Sequence, residues 1–187
     1  VAFSFAAGAD DIGQMSTHAT RELATPKLGE HALVVGAGIG RLSCGRVLGV
    51  FSERARLLER DALGPSPAAR PGLPHARHGD VLLGAGARLL EDWFPGLSLE
   101  LERRGASSYD VGSELCSEWP EGAWPLQRLE LRGCSATRPL PEACLRSRLL
   151  QSDRVSLRSE AHVIRLLWRR SRVVGACVRL SRGTLTE

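Results

Sequence analysis

Lysine is almost missing from this chain. Lys27 stands alone, so 24 of the 25 basic residues are arginine. Arginine recognises phosphate with a planar, permanently charged fork. Yet these arginines are scattered along the chain among Asp and Glu, and no basic block is flanked by stacking aromatics. The net charge of +4 therefore builds no footprint for nucleic acid, and none is expected as a partner. No apolar run approaches the roughly 18–20 residues that cross a bilayer, so no membrane partner is expected either. The five cysteines, Cys44, Cys116, Cys134, Cys144 and Cys177, contain no CxxC pair. They read as buried, reduced thiols of a cytoplasmic protein. His75 and His78 lie in HARH, with Asp80 nearby, but lack further matching ligands, so no metal site is expected. The opening VAFSFAAGADD has no basic n-region and meets Asp10 and Asp11, which argues against a secretory leader. There are no internal repeats and no low-complexity tracts.

The 187 residues suit one domain of ordinary size or slightly more. Residues 1–28 are read as an upstream or disordered segment, and residues 29–187 as the folded part. Leu33 to Val35 form a short apolar run ending at Gly36, as a buried parallel strand does. From Ile39 to about Val50 the pattern is helical, with Ile39, Leu42, Cys44, Val47 and Leu48 expected on the packed side. A polar link, Ser52 to Arg54, leads to a second strand, Ala55 to Leu58. The stretch GPSPAARPGLPHARHG is a loop whose length suggests binding. A helix is expected from about Asp80 to Phe94, stopped by Pro95-Gly96. Tyr109 to Val111 and Leu129 to Leu131 read as strands, and Trp119 and Trp124 as cover for a cavity or filling for a gap. ATRPLPEACLRSRLLQS reads as a helix with its prolines in the first turn. Val155 to Leu157, Val163 to Trp168 and Val173 to Leu180 close the reading as strands.

The chemistry lies in VVGAGIGRL, Val34 to Leu42. A glycine turn between strand and helix sets backbone N–H groups and the positive helix end against a pyrophosphate. Gly36 permits the tight turn and Gly38 lets the backbone approach the phosphates. Glu59 ends the second strand, 23 residues after Gly36, where an acidic residue accepts bonds from ribose hydroxyls. Strand, turn, helix and acid together point to dinucleotide binding far more strongly than GxG alone.

GAGIGRL, LLERDALGPSPAARPGLPHARHGDVLL, ARLLEDWFPGL and ATRPLPEACLRSRLL resemble successive blocks of the FAD-dependent monooxygenases, the group A flavoproteins. The likeness is above all to bacterial epoxidases of polyether biosynthesis, and more distantly to aromatic hydroxylases of the para-hydroxybenzoate type. It runs from about Ala32 to Arg182. The resemblance implies an α/β fold: a Rossmann-like FAD-binding domain with a βαβ start, a parallel sheet and additional β strands. Residues 29–187 would then be a partial FAD-binding domain with the start of the substrate-domain strands. It implies that Gly36, Gly38 and Gly40 line the FAD pyrophosphate, and that Glu59 holds the adenosine ribose with Arg60 beside it. Arg70 would reach the flavin side or the phosphates, Arg138 the pyrophosphate or ribityl chain, and Val163 the adenine through its backbone. NAD(P)H would reduce the flavin, and dioxygen would supply one oxygen atom to a small-molecule alkene or aromatic substrate. The oxygen chemistry is the cofactor's, so no catalytic side chain is assigned.

Three departures stand against this pattern. Arg41 occupies the place of the third glycine, and is expected to push the helix off its strand and weaken FAD binding. His75 and Asp80 replace a Gln and a His. Family members are more than twice as long, so a truncated fragment, a split protein with a partner chain completing the domain, or a decayed copy is expected. Two alternatives to the monooxygenase share the same half: a non-catalytic Rossmann-type nucleotide-binding protein, and an FAD-dependent prenyl reductase.

Overall fold

The computed structural model describes residues 27–73, 76–116, 118–180 and 183–186. Residues 1–26, most of the segment read as upstream, lie outside the described residues, as does His75.

The chain starts with β1 (Gly29–Val35), α1 (Ile39–Phe51) and β2 (Ser52–Leu58). β1 and β2 pair in parallel, Val34 against Leu57 and Val35 against Leu58. The polar link expected at Ser52 to Arg54 is instead strand: Ser52 both caps α1 and opens β2. The strand gains these residues because they pair back along β1, Arg54 beside His31. The packed face of α1 meets expectation at Ile39, Leu42 and Leu48, which pack against the core, and differs from it elsewhere. Its buried residues are Leu42, Gly45 and Gly49, while Cys44 faces solvent. The glycines decide this face. A Cβ on Gly45 would stand 2.9 Å from Leu57 Cδ1, and one on Gly49 only 2.7 Å from Val155 Cγ2. The helix therefore settles on the sheet through its bare backbone. Arg41 is exposed and lies off that face, so the clash expected of it does not arise.

Irregular chain leads from Glu59 to β3 (Gly79–Leu82), followed by α2 (Gly84–Trp93) and α3 (Leu97–Arg103). The helix expected from Asp80 thus begins later, because Asp80 to Leu82 pair with a distant strand. β4 (Ser107–Asp110), the two-residue strands β5 (Glu118–Trp119) and β6 (Gly122–Ala123), and β7 (Arg132–Thr137) come next. β7 lies between β3 and β4 in an antiparallel sheet. Leu129 to Leu131, expected as strand, stay outside that ladder. Asp110 draws them in otherwise, its carboxylate accepting the N–H groups of Leu129 and Leu131. Trp119 and Trp124 are both exposed.

α4 (Pro139–Leu149) follows β7 directly, its prolines confined to the first turn. β8 (Val155–Arg158) joins the first sheet, giving the parallel order β1-β2-β8. β9 (Ala161–Arg169), β10 (Arg172–Leu180) and β11 (Gly183–Thr186) form an antiparallel sheet. The result is mixed α/β, a parallel sheet with extra strands. Alternation along β1 and β2 splits its side chains between two cores. Val34, Ala55 and Leu57 join Leu42, Leu145 and Leu149 on the helical side. Leu33 and Leu58 turn the other way, toward Ala161, Ala176 and Val178. Of the cysteines expected to be buried, Cys134 and Cys144 are, Cys177 is half-buried, and Cys44 and Cys116 are exposed.

The close approach of α1 can be tested by filling it. Gly49→Val is expected to cost about 1–3 kcal/mol through overpacking against Val155. Gly86→Ala, on α2 where a Cβ meets nothing, is expected to be neutral or to stabilise by up to ~1 kcal/mol through helix propensity. Urea unfolding of both variants checks the contrast, and equal midpoints would refute the packing role of Gly49.

Candidate nucleotide-binding site

The turn after β1 is shaped by backbone. Gly36 has φ +104°, open to glycine and strained for other residues. Its N–H donates to Leu58 O at 2.7 Å, which closes the ends of β1 and β2 together. The next N–H, of Ala37, donates to Glu59 Oε2 at 2.8 Å. Gly38 is the N-cap of α1. It offers no side-chain cap, and the first turn holds no acid. Among the described residues, the N–H groups of Gly38, Ile39 and Gly40 find no acceptor. A helix start with free donors and no acid in its own first turn is suited to an anion.

Beside the turn sits a buried ion cluster. Arg70, from the loop after β2, is 10% exposed. It reaches Asp61 Oδ2 at 3.0 Å, Glu142 Oε2 at 2.9 Å and Glu59 Oε2 at 3.3 Å. Burial works against the charge of Arg70, but hydrogen bonds to Glu142 and Asp61 and the nearby Glu59 outweigh it, so the proton is held more firmly than in water. Glu59 also accepts the N–H of Asp61 through Oε1 at 3.0 Å. Asp61 accepts the N–H of Gly72 at 2.7 Å, which ties down the loop. Glu142, in the first turn of α4, lies under the glycine turn. Its Oε1 stands 3.4 Å from the place of a Cβ on Gly38. Arg138, just before α4, approaches Asp80 Oδ2 at 3.4 Å and Glu142 Oε1 at 3.6 Å. The β3–β7 pairing sets up the former contact, because it seats Asp80 opposite Ala136, two residues before Arg138.

Seven of the eight residues singled out in the sequence line one cavity of about 430 Å³: Gly36, Gly38, Glu59, Arg60, Arg70, Arg138 and Val163. Gly40 does not line it, and a Cβ there would meet nothing. Sequence reasoning missed Glu142 and Asp61 as partners of Arg70. Their signal was present in PEACLR and ERD, but a charged residue beside others reads as a solvated surface. It also missed Arg41 as a cavity residue. A second cavity of about 620 Å³ adjoins through Arg60, Arg70 and His162. Among the described residues no cluster of His, Cys, Asp or Glu is arranged to hold a metal ion, and no helix is long and apolar enough to cross a membrane.

No family model matches this chain. Protein Rv3254 of Mycobacterium tuberculosis is 31% identical over 142 residues, 74% of this chain and 30% of that protein. Among solved structures, the myxobacterial chondrochloren halogenase CndH, a variant of FAD-dependent halogenases, superposes with a TM-score of 0.64 at 22% identity. That match covers 86% of this chain and 35% of the halogenase. The p-nitrophenol 4-monooxygenase PnpA from Pseudomonas putida gives a TM-score of 0.59 at 16% identity, over 84% of this chain and 39% of that one. The fold of the described chain is thus similar to part of the fold of FAD-dependent halogenases and monooxygenases. The chain spans about a third of the length of the proteins it matches.

Removing Arg70 leaves three carboxylates facing one another, with only the more distant Arg138 beside Glu142 and the exposed Arg60 beside Asp61. Arg70→Met is expected to cost about 3–5 kcal/mol, the range for breaking a buried pair from one side. Glu142→Gln is expected to cost less, and the double variant less than the sum, with a coupling of about 1–3 kcal/mol. Denaturant unfolding of the four proteins measures it. Strict additivity would show that the two side chains do not act on each other.

Proposed function

We propose that this chain carries the adenosine-diphosphate-binding part of an FAD-dependent oxidoreductase of the monooxygenase kind. The observation that carries the reading is the uncapped start of α1: partnerless N–H groups of Gly38, Ile39 and Gly40 beside a glycine turn and a cavity. FAD fits those residues. The turn from Gly36 to Gly40 would take the pyrophosphate, since donors and helix field point there. Glu59 would lie beside the adenosine ribose, with Arg60 next to it and the backbone of Val163 along the adenine. A carboxylate has about four acceptor sites, so the protein donors on Glu59 leave capacity for a ribose hydroxyl. Arg70 and Arg138 would act by holding Glu59, Asp61 and Glu142 in place around the phosphates. When bound, FAD would carry electrons from NAD(P)H to dioxygen and support insertion of one oxygen atom into an alkene or aromatic substrate.

The structural neighbours, an FAD-dependent halogenase and a monooxygenase, support the flavin class. The chain spans about a third of their length, and this reading assigns the substrate pocket to sequence outside the described residues. A further polypeptide, on a partner chain or the same one, belongs to the proposal as the source of the rest of the flavin site. A cytoplasmic setting goes with it.

Titration of FAD with the purified chain, followed by flavin fluorescence, tests the reading. Saturable binding is expected, competed by ADP and not by riboflavin, because the residues present address the diphosphate and adenosine. Riboflavin competing as well as ADP would refute the assignment, as would no binding of either FAD or ADP.

A further inference from the structure

The cavity beside the glycine turn has an electrostatic imbalance. It is lined by two acids, Glu59 and Glu142, and by four arginines, Arg41, Arg60, Arg70 and Arg138. Three of the arginines face acids: Arg70 meets Glu59, Asp61 and Glu142, Arg138 meets Asp80 and Glu142, and Arg60 lies 3.9 Å from Asp61. A pyrophosphate would find three of the four guanidinium groups already turned to acids. Two buried polar atoms at this place also lack a hydrogen-bond partner among the described residues, Glu142 Oε1 and Arg138 Nε. The Glu142 side chain is 3% exposed, and its unpartnered oxygen lies beneath Gly38. That acid sits under the very turn where the phosphates would rest, and a cation above it would offset its charge there.

Arg41 is in the position to supply one. It lines the same cavity. Its Cγ, Nε and Cδ pass 3.5, 3.6 and 3.7 Å from the place of a Cβ on Gly36, so the side chain lies along the turn. It is exposed, and its guanidinium makes no hydrogen bond or ion pair among the described residues. Its five donors are therefore available. Nor does it serve packing, since α1 meets the sheet through Leu42, Gly45 and Gly49.

We propose that Arg41 is a phosphate-binding residue that clamps the pyrophosphate of the dinucleotide over the glycine turn with a bidentate guanidinium contact. The proposal rests on the dinucleotide reading above and adds a ligand to that site. It reverses the expectation from sequence, in which a long side chain at this position obstructs the cofactor. A guanidinium suits the place because its planar fork meets two phosphate oxygens at once. Lying free in solvent, it costs no existing ion pair to engage.

The two views of Arg41 differ in sign, which makes the test direct. FAD and ADP affinities are measured by calorimetry for the 187-residue chain, its Arg41→Ala and Arg41→Lys variants, and Arg88→Ala as a control for net charge. Arg88 is exposed on α2, away from the cavity. Arg41→Ala is expected to weaken both ligands about tenfold or more, the scale of a charge-assisted hydrogen-bonded contact. It is also expected to flatten the loss of affinity with rising salt, because one screened charge is gone. Arg41→Lys is expected to recover part of the affinity, and Arg88→Ala to change neither readout. Equal or tighter binding by Arg41→Ala would overturn the proposal while leaving the dinucleotide site intact. Absence of FAD and ADP binding in the unmutated chain would overturn both.

Discussion

The site depends on one interaction, the seating of Arg70 among Glu59, Asp61 and Glu142. These residues come from the end of β2, the loop that follows it and the first turn of α4. Three acids in one buried place repel each other, and a single guanidinium with five donors can meet them all. Glu59 extends the cluster to the backbone by accepting the N–H of Ala37, so the glycine turn is tied to the same ions. Asp61 does the same for the loop at Gly72. Loop, turn and helix start are thus held by one charge, which is why an irregular segment can keep a defined cavity beside it.

Two fields oppose each other at this cavity. The start of α1 presents uncapped donors and the positive end of a helix. The floor presents the carboxylates of Glu59 and Glu142, held by Arg70 and Arg138. An anion is favoured at the first and disfavoured at the second, and a few ångströms separate them. The outcome therefore turns on the cations that remain free, and less on the number of arginines. That distinction is invisible in a net charge, which counts a saturated guanidinium and an idle one alike.

The strand, turn and helix around Gly36 were legible because their signals are local: an apolar run, glycines and a helical period. The start of α4 was legible for the same reason, as proline is tolerated there and nowhere later in a helix. β3 was not legible. Gly79 to Leu82 become strand only by pairing with Thr137 to Cys134, a partner more than fifty residues on that no local pattern announces. The cluster around Arg70 was half legible: Glu59 and Arg70 were singled out, but Glu142 meets them only after α4 packs beside α1. For Arg41 the residue was noticed and its effect on packing misjudged. The sequence identifies a missing glycine, and only the packed helix shows that the close contact is made elsewhere.

That displacement of the close contact to Gly45 and Gly49 has an evolutionary consequence. Where the third glycine of a dinucleotide turn also packs the helix, fold and ligand affinity share one residue, and neither can vary alone. Here the two duties are separated by one turn of helix or more. Position 41 becomes a free parameter of the site. Charge, length and hydrogen-bonding pattern can be exchanged there by single mutations without disturbing the core. A lineage built on this arrangement can retune what it holds, or cease to hold it, while keeping the same fold.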